Sequence, residues 1–522
     1  MCFENKLLKN TINYVTYLNN KILIRKCKIM GLISHLEHIK GGNNFLKGLS
    51  IYSDSDFTSI AKKYFYLLLV LAVGVISFFV RTYRIDETFW AFGDQIRDWS
   101  IALNGDLPLH GTPKVGGGFS WGPIHYWVLR VIALTIGGFF DNLPHAGGYG
   151  FALLRSLADG FLFWSLTQLG FASLGVTGVM LLIITLPLES ALSGIIWNPG
   201  LAITFLVFSL GSALCLLKKK QAFWGFFALL AAVLGIHAHT PLIFWALANI
   251  LSIFIISAFA MYSNPEKVKS FFLWSIFSLI CVFLVQLPYL IHIATTTANE
   301  TYLNKGLNSI FRFELNKNVL FGLLHRSLEI VGIKIDIFSI FILTPILILV
   351  IARLIKERIY EITIVFAIGI VSFLCAVLIF AMTGLPVDSY WLMNLAYPLF
   401  LPVLIMTFKG WENSFLRMSS VFFSFFLFTF AIVNFQDRFN VRDHQFRFPE
   451  YGSISRGISK LKNSHKVLKS IHIDFETVNP FNAESLYRFI GGQISKKDGS
   501  EIVSIHRDGT YSVQTSTNSK SQ

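Results

Sequence analysis

The stretch WAFGDQIRDWSIALNGDLPLHGTPKVGGGFSWGPIHYW, residues 90–127, is a polar, acidic and glycine-rich segment between long apolar runs. Directly after the first apolar run it carries three acids and a base, Asp94, Arg97, Asp98 and Asp106. Ionisable side chains beside a lipid-facing segment are costly, so their presence indicates a binding or catalytic site. The segment is therefore predicted to be a loop that holds the functional site.

The composition around this loop excludes an ordinary soluble globule. Apolar residues make up 54% of the 522-residue chain, charged residues only 14%, and there are 51 phenylalanines. The apolar runs suit helices that cross a hydrocarbon core of roughly 30 Å, not the alternating strands of a barrel. The sequence predicts an all-α polytopic membrane protein with about 11 transmembrane helices. The predicted spans are 64–80, 151–170, 171–187, 200–217, 222–236, 241–262, 271–291, 337–352, 362–382, 392–408 and 418–435.

One further apolar run, residues 122–140, decides the topology, because counting it as a span inverts every later loop. If it does not span, the short loops rich in Lys and Arg face the cytoplasm. The loops 188–199, 237–240 and 383–391, which contain neither residue, then face outward, as the positive-inside rule requires. Arg130 at the centre of the run would cost about 2.5–3.5 kcal/mol within the bilayer. Residues 122–140 are therefore predicted to form an interfacial helix.

This topology gives three regions. Residues 1–63 are predicted to be a basic cytoplasmic tail without a cleavable signal peptide, in which Met30 is a second candidate start. Residues 64–435 form the transmembrane domain, with a first extracytoplasmic loop at 81–150. Residues 436–522 are predicted to be a small extracytoplasmic α/β piece. Its helix candidates are SRGISKLKNS and AESLYRFIGG, and its strand candidates are KSIHIDF and EIVSIHR.

Charge and cysteine usage exclude other classes of protein. The net charge of +14 is spread over both tails and the cytoplasmic loops, so it indicates membrane orientation and gives no support to nucleic-acid binding. The five cysteines show neither a disulfide framework nor metal-ligand spacing. No metal site is predicted from them.

Within the loop, Asp94 and Asp98 are four residues apart, so a helix places both carboxylates on one face with Arg97 beside them. The following GGGFSWGP strip allows close approach of a ligand to the backbone, and His125 and Tyr126 offer flat surfaces nearby. Local ion pairs and interfacial aromatic anchors explain the same pattern without a ligand.

An acid in the first external loop, an amphipathic helix, a Leu-Pro stretch and then GP-x-x-Y-W resemble the GT-C glycosyltransferases. This superfamily includes protein O-mannosyltransferases, the lipid A aminoarabinose transferase and related family-39-like bacterial proteins. The resemblance is specific over residues 90–127 and extends weakly to about residue 435. It implies an enzyme of the bacterial inner membrane that moves a hexose or pentose from a polyprenyl-phosphate donor to an extracytoplasmic acceptor, with inversion.

The resemblance implies that Asp94 is the key carboxylate. Gln95 departs from the mannosyl and aminoarabinosyl branches, which have a second acid at that position, so a divalent metal bound by an adjacent acid pair is less expected here. The sugar and the acceptor (a lipid, a glycan or a protein) stay open. Arg97, Lys114 and Arg155 are the candidate partners of the lipid phosphate.

Further candidates for substrate contacts lie at the outer ends of spans. Arg155 has Asp159 four residues later, so a structural ion pair is the alternative for it. Glu189 suggests a water-filled cavity, since an uncompensated acid near the bilayer is costly. For His239 and Tyr390 the alternatives are a satisfied interfacial histidine and an aromatic anchor.

Two other functions use similar substrates. A transporter or flippase of lipid-linked saccharides would show inverted repeats and broken helices, and neither is visible in the sequence. A polysaccharide polymerase or ligase usually places its large loop late in the chain, whereas here the informative loop comes first. Both stay as alternatives to the transferase.

Overall fold

The computed structural model describes residues 56–91, 93–105, 107–113, 119–171, 173–186, 189, 193–295, 371, 450–464, 467–474, 482–495 and 501–515. The chain divides into two compact units, Met1–Leu67 and Leu68–Gln522. The described part of the first unit is the N-terminal portion of one helix. The contacts described below lie within the second unit.

The first long helix and the loop after it form four helices: α1 Asp56–Thr82, α2 Ile85–Thr88, α3 Gly93–Asn104 and α4 Ile124–Thr135. Helix α3 ends at Asn104, directly before Gly105, whose φ of 93° is a left-handed conformation that favours glycine. Pro123 precedes α4, where its missing N–H costs no helical hydrogen bond. Because α4 has 12 residues, it is about 18 Å long at 1.5 Å per residue, too short to cross the bilayer.

The apolar bundle follows in six helices: α5 His145–Gln168, α6 Ser173–Ile184, α7 Asn198–Lys219, α8 Ala222–Ala238, α9 Ile243–Ser263 and α10 Val268–Thr295. Short 3-10 segments lie in the connections: Gly137–Phe140 between α4 and α5, Thr240–Leu242 between α8 and α9, and Pro265–Lys267 between α9 and α10. Helix α7 is buried along nearly its whole length and packs on α5 and α8. It begins with Pro199 in its first turn and ends with Lys218 and Lys219, which suit the negative end of the helix dipole.

Glycines at the start of α5 allow its neighbours to approach closely. A Cβ added at Gly148 would lie 2.7 Å from the backbone oxygen of Gly194, and one at Gly150 would lie 2.5 Å from Ile132 Cδ1. Both distances are shorter than van der Waals contact. The sequence HAGGYG therefore sets how closely α4 and the segment before α7 pack on α5.

The C-terminal region contains helices α11 Tyr451–Ser464 and α12 Ala483–Phe489 and five short strands. These are β1 Val467–Leu468, β2 Ser470–Ile473, β3 Gln493–Ile494, β4 Glu501–Ile505 and β5 Tyr511–Thr515. Strands β2 and β4 pair in parallel with Ile471 opposite Val503, and β5 adds antiparallel to β4 with Val513 opposite Val503. Since α12 lies between β2 and β4 in the chain, they form a βαβ unit.

The predicted helices agree with the structure wherever it describes the chain. Each predicted span ahead of residue 296 coincides with a helix, and 122–140 contains the short α4. Within the part of the chain that the structure describes, four helical stretches are long and apolar enough to cross a membrane: Tyr64–Thr88, Asn198–Lys219, Trp245–Ser263 and Pro265–Thr295. The predicted spans 151–170, 171–187 and 222–236 coincide with helices that are not among these four. The predicted spans 337–352, 362–382, 392–408 and 418–435 lie outside the described residues, so the total of about 11 stays a prediction.

In the C-terminal region both predicted helices and both predicted strands are present at their predicted positions. The strands β1, β3 and β5 were not predicted.

Candidate active site in the first loop

Helix α3 brings two aspartates and an arginine together, as their spacing predicts. Arg97 Nη1 lies 2.7 Å from Asp94 Oδ1, and Arg97 Nη2 lies 2.8 Å from Asp98 Oδ1. Asp94 is in the first turn of α3, where the helix dipole favours a negative charge. One guanidinium therefore holds both carboxylates in place.

The two aspartates differ sharply in exposure. The side chain of Asp94 is 53% exposed, whereas that of Asp98 is 5% exposed. His125 Nε2 lies 3.1 Å from Asp98 Oδ2, and the Tyr126 hydroxyl donates to Asp98 Oδ1 over 3.3 Å. Asp98 therefore joins α3 to α4 from a buried position, while Asp94 stays accessible to a ligand.

The same contacts shift the pKa values of two of these groups. Burial and the negative charge of Asp98 raise the pKa of Tyr126 well above its ordinary value, so its hydroxyl remains a hydrogen-bond donor. For Arg97, burial lowers the pKa, but Asp98 and Asp94 together outweigh this effect and raise it. The cluster thus contains a permanent cation between its two acids.

Two buried polar atoms of the cluster have no hydrogen-bond partner among the described residues. They are Gln95 Oε1 and His125 Nδ1. A buried polar atom without a partner usually costs about 1–3 kcal/mol, so such atoms often mark functional positions. Lys114, predicted as a partner of the lipid phosphate, falls outside the described residues.

A second polar cluster is buried between α1, α5 and the segment before α7. Arg81 Nη2 lies 2.9 Å from Asp159 Oδ2 and 3.1 Å from Glu189 Oε1. Arg155 Nη2 lies 2.6 Å from the same Glu189 oxygen, and Arg155 Nε lies 3.4 Å from Asp159 Oδ1. The Ser77 hydroxyl donates to Asp159 over 2.7 Å.

This second cluster balances two arginines against two acids. The structural alternative for Arg155, a pair with Asp159, is therefore observed, and Glu189 is compensated rather than isolated. Arg81 was not among the predicted site residues, although a charged residue directly after the first apolar run is unusual. Arg155 and Glu189 do not contact the α3 cluster directly in any described interaction.

Polar contacts fix the first loop to the ends of α7 and α8. Asn198 Nδ2 donates to Thr112 Oγ1 over 2.7 Å and lies 3.0 Å from His239 Nδ1. Gly122 leaves room for the ring of His237, which a Cβ at that position would meet. His239 therefore belongs to the anchoring of the loop. Tyr390, the last predicted site residue, lies outside the described residues.

The donor set near Asp94 does not fit a divalent metal. Gln95 supplies a neutral amide where a second acid would be needed, and Arg97 already neutralises Asp94. Within the described residues, no three His, Cys, Asp or Glu side chains are grouped so that they could hold a metal ion.

Comparisons with known proteins give a likeness of structure only. No family model matches the sequence, and no curated protein matches it. Among solved structures, the chain is similar to ArnT from Cupriavidus metallidurans bound to undecaprenyl phosphate, with 10% sequence identity and a TM-score of 0.49. The match covers 87% of this chain and 98% of that chain.

Proposed function

We propose that this protein is a GT-C-type membrane glycosyltransferase that moves a sugar from a polyprenyl-phosphate donor to an acceptor hydroxyl at the extracytoplasmic face. The observation that carries the proposal is the accessible Asp94 carboxylate, held by Arg97 in the first turn of α3. It occupies the position of the key acid in the motif of residues 90–127. The buried contacts of Asp98 with His125 and Tyr126 of α4 hold the helix that carries Asp94 in place.

Asp94 is the proposed general base. Its carboxylate takes the proton of the acceptor hydroxyl while that oxygen forms a bond to the anomeric carbon of the donor. The bond from this carbon to the phosphate oxygen breaks on the opposite face, and the polyprenyl phosphate leaves with the electron pair. A single displacement of this kind inverts the anomeric configuration. A positioned base of this type contributes about 10²–10⁴-fold in rate.

The leaving phosphate needs a cation. Arg97 is 38% exposed and lies beside Asp94, so it can contact a phosphate without leaving the site. Arg155 is less suited, because it already pairs with Glu189 and Asp159 inside the bundle. Lys114 in the same loop remains a candidate by sequence.

The first test compares wild-type protein with Asp94→Asn in nanodiscs, using a panel of polyprenyl-phosphate sugars. We expect one donor to be turned over by the wild type, and its turnover to fall about 10²-fold or more in Asp94→Asn, because the amide cannot accept the proton. Glu87→Gln is the matched control, since Glu87 is an exposed acid on α2 that pairs only with Arg84 among its described partners. This control should retain wild-type turnover.

Equal turnover by wild type and Asp94→Asn would remove Asp94 from the mechanism. If no donor is turned over and the protein moves a lipid-linked sugar across a proteoliposome membrane, the proposed transferase function is wrong and the protein is a flippase.

A further inference from the structure

A cavity of about 330 Å³ lies where the C-terminal region meets the first loop. Helix α3 lines one side with Gly93, Arg97 and Ser100, and the start of α12 lines the other with Asn482 and Ser485. Its volume is at the lower end of the range of about 300–1,000 Å³ that is typical of small-molecule sites. The cavity is thus formed by two segments almost 400 residues apart in the chain.

The cavity borders the arginine that holds the proposed base. Arg97 lines it, and the same guanidinium contacts Asp94 Oδ1 at 2.7 Å. Gly93, the residue before Asp94, has open space where a Cβ would be. A ligand in this cavity would therefore contact the guanidinium that holds the Asp94 carboxylate.

The lining has the chemistry of a saccharide site. It offers a guanidinium, a carboxamide and two hydroxyls, which between them can donate to and accept from sugar hydroxyls. The amide of Asn482 is oriented, because its oxygen accepts a hydrogen bond from Ser485 N over 3.0 Å. The apolar part of the lining comes from Ile96 and Ile101, which is too little to enclose an acyl chain.

The position of the C-terminal region is fixed independently of any ligand. The Tyr451 hydroxyl lies 2.7 Å from His145 Nδ1, and the Tyr451 ring packs on Phe89 at a centroid distance of 5.4 Å. A Cβ added at Gly452 would lie 2.8 Å from Glu87 Cα, so α11 lies directly against α2. These contacts hold α12 over α3.

We propose that this cavity binds a sugar residue of the acceptor, and that the C-terminal region is the part of the protein that recognises it. The proposal rests on the proposed transferase function and narrows its acceptor to a glycan or the sugar head of a glycolipid. The acceptor sugar, bound between α3 and α12, presents its hydroxyl to Asp94.

A binding test that needs no turnover uses Ser485→Cys in the full-length protein in nanodiscs. Its rate of labelling by a maleimide is measured with glucose, galactose, mannose or N-acetylglucosamine. We expect at least one sugar to slow the labelling saturably by covering the cavity. Lys460→Cys, on the exposed side of α11, is the matched control, and its labelling should not respond to any sugar.

An activity test uses Ser485→Trp, which fills the cavity from the side of α12. With the sugar that protects Ser485→Cys as the acceptor, we expect the acceptor KM to rise about tenfold or more, with a smaller change in kcat. Lys460→Trp should behave as wild type. A site that merely supports the fold would lower kcat and protein yield together without a selective change in KM.

The two proposals fail in different ways. If no sugar protects Ser485→Cys and Ser485→Trp transfers as well as wild type, the acceptor site is overturned while donor turnover still supports the transferase. If a sugar protects Ser485→Cys but no donor is turned over, the saccharide site is supported and the transferase is overturned.

Discussion

Glu189 contacts both arginines of the buried charge cluster, at 3.1 Å from Arg81 Nη2 and 2.6 Å from Arg155 Nη2. We expect Glu189→Gln to destabilise the protein by about 3–5 kcal/mol, since removing one partner leaves buried positive charge without compensation. The measurement is the thermal unfolding midpoint in nanodiscs, followed by circular dichroism.

Glu87→Gln is the matched control for this change. Glu87 pairs with Arg84 at 3.0 Å, and the two side chains are about half exposed. Pairs of this kind contribute about 0–1 kcal/mol, so the midpoint should hardly move. A midpoint for Glu189→Gln as high as that of the control would show that the cluster does not support the bundle.

Local spacing predicted part of the candidate site, and long-range contacts account for what was missed. The arrangement of Asp94, Arg97 and Asp98 follows from helical periodicity, and the structure shows it. The position of Arg81 directly after the first apolar run marks it as unusual, but its pairing with Glu189, 108 residues away, could not be predicted from any local pattern. The difference in burial between Asp94 and Asp98 could not be predicted either, because it depends on how α4 packs.

At the scale of elements, Arg130 links the two helices of the first loop. Its Nη1 donates to the backbone oxygens of Ala102 and Leu103, both over 2.7 Å, at the C-terminal end of α3. From the sequence, this arginine indicated only that residues 122–140 do not span the membrane. Its role in the structure is to cap a helix whose last carbonyls lack helical partners.

We expect Arg130→Ala to lower the unfolding midpoint, because two carbonyl groups lose their charged donor, at a cost of about 1–3 kcal/mol. Arg130→Lys should recover part of the loss, since its single ammonium nitrogen keeps the positive charge and can donate to the same carbonyls, although from a side chain of different length and shape. Identical midpoints for Arg130→Ala and Arg130→Lys would show that a positive charge at this position does not restore the stability.

His145, at the first residue of α5 and ahead of the predicted span, joins α5 to α11 through Tyr451. Burial lowers the pKa of His145 to about 4, although Asp86 and Asp141 oppose the shift. In the unfolded chain its pKa is near 6.5. As the pH falls from 6.5 to 4, the unfolded state binds a proton that the folded state does not, so the stability falls.

The full loss corresponds to about 3 kcal/mol at 1.36 kcal/mol per pKa unit. We expect the unfolding midpoint of the wild type to drop between pH 7 and pH 4.5, and that of His145→Gln to drop less over the same range. His472→Gln removes an exposed histidine and should keep the wild-type profile. A pH profile of His145→Gln that matches the wild type would show that His145 is not the group responsible.

The C-terminal elements show why secondary structure there was only partly predictable. KSIHIDF and EIVSIHR contain the alternating apolar residues that predict strands, and both form. Strand β5, YSVQT, has one strongly apolar residue, Val513, and its partner in the sheet is the adjacent strand β4. Its hydrogen bonds to β4, rather than its own sequence, keep it extended.

At the scale of the whole molecule, the contacts place the first loop and the C-terminal region at the same end of the helix bundle. Tyr451 contacts His145 and Phe89, while Asn198 at the start of α7 contacts Thr112 of the loop. The other end of α7, with Lys218 and Lys219, is about 33 Å away for 22 residues at 1.5 Å each. The basic residues and the contact with the first loop therefore lie at opposite ends of α7, the arrangement that the positive-inside rule requires of a helix that spans the membrane.

This arrangement predicts which residues an impermeant reagent can reach in intact cells. In a variant whose five natural cysteines are replaced by alanine, Ser485→Cys should be labelled by a membrane-impermeant maleimide added outside. Gln221→Cys, exposed in the turn after Lys220, should be labelled only after permeabilisation. Labelling of Gln221→Cys in intact cells, with Ser485→Cys protected, would mean that the chain is inverted. The α3 carboxylates would then face the cytoplasm, where a donor on the outer face cannot reach Asp94.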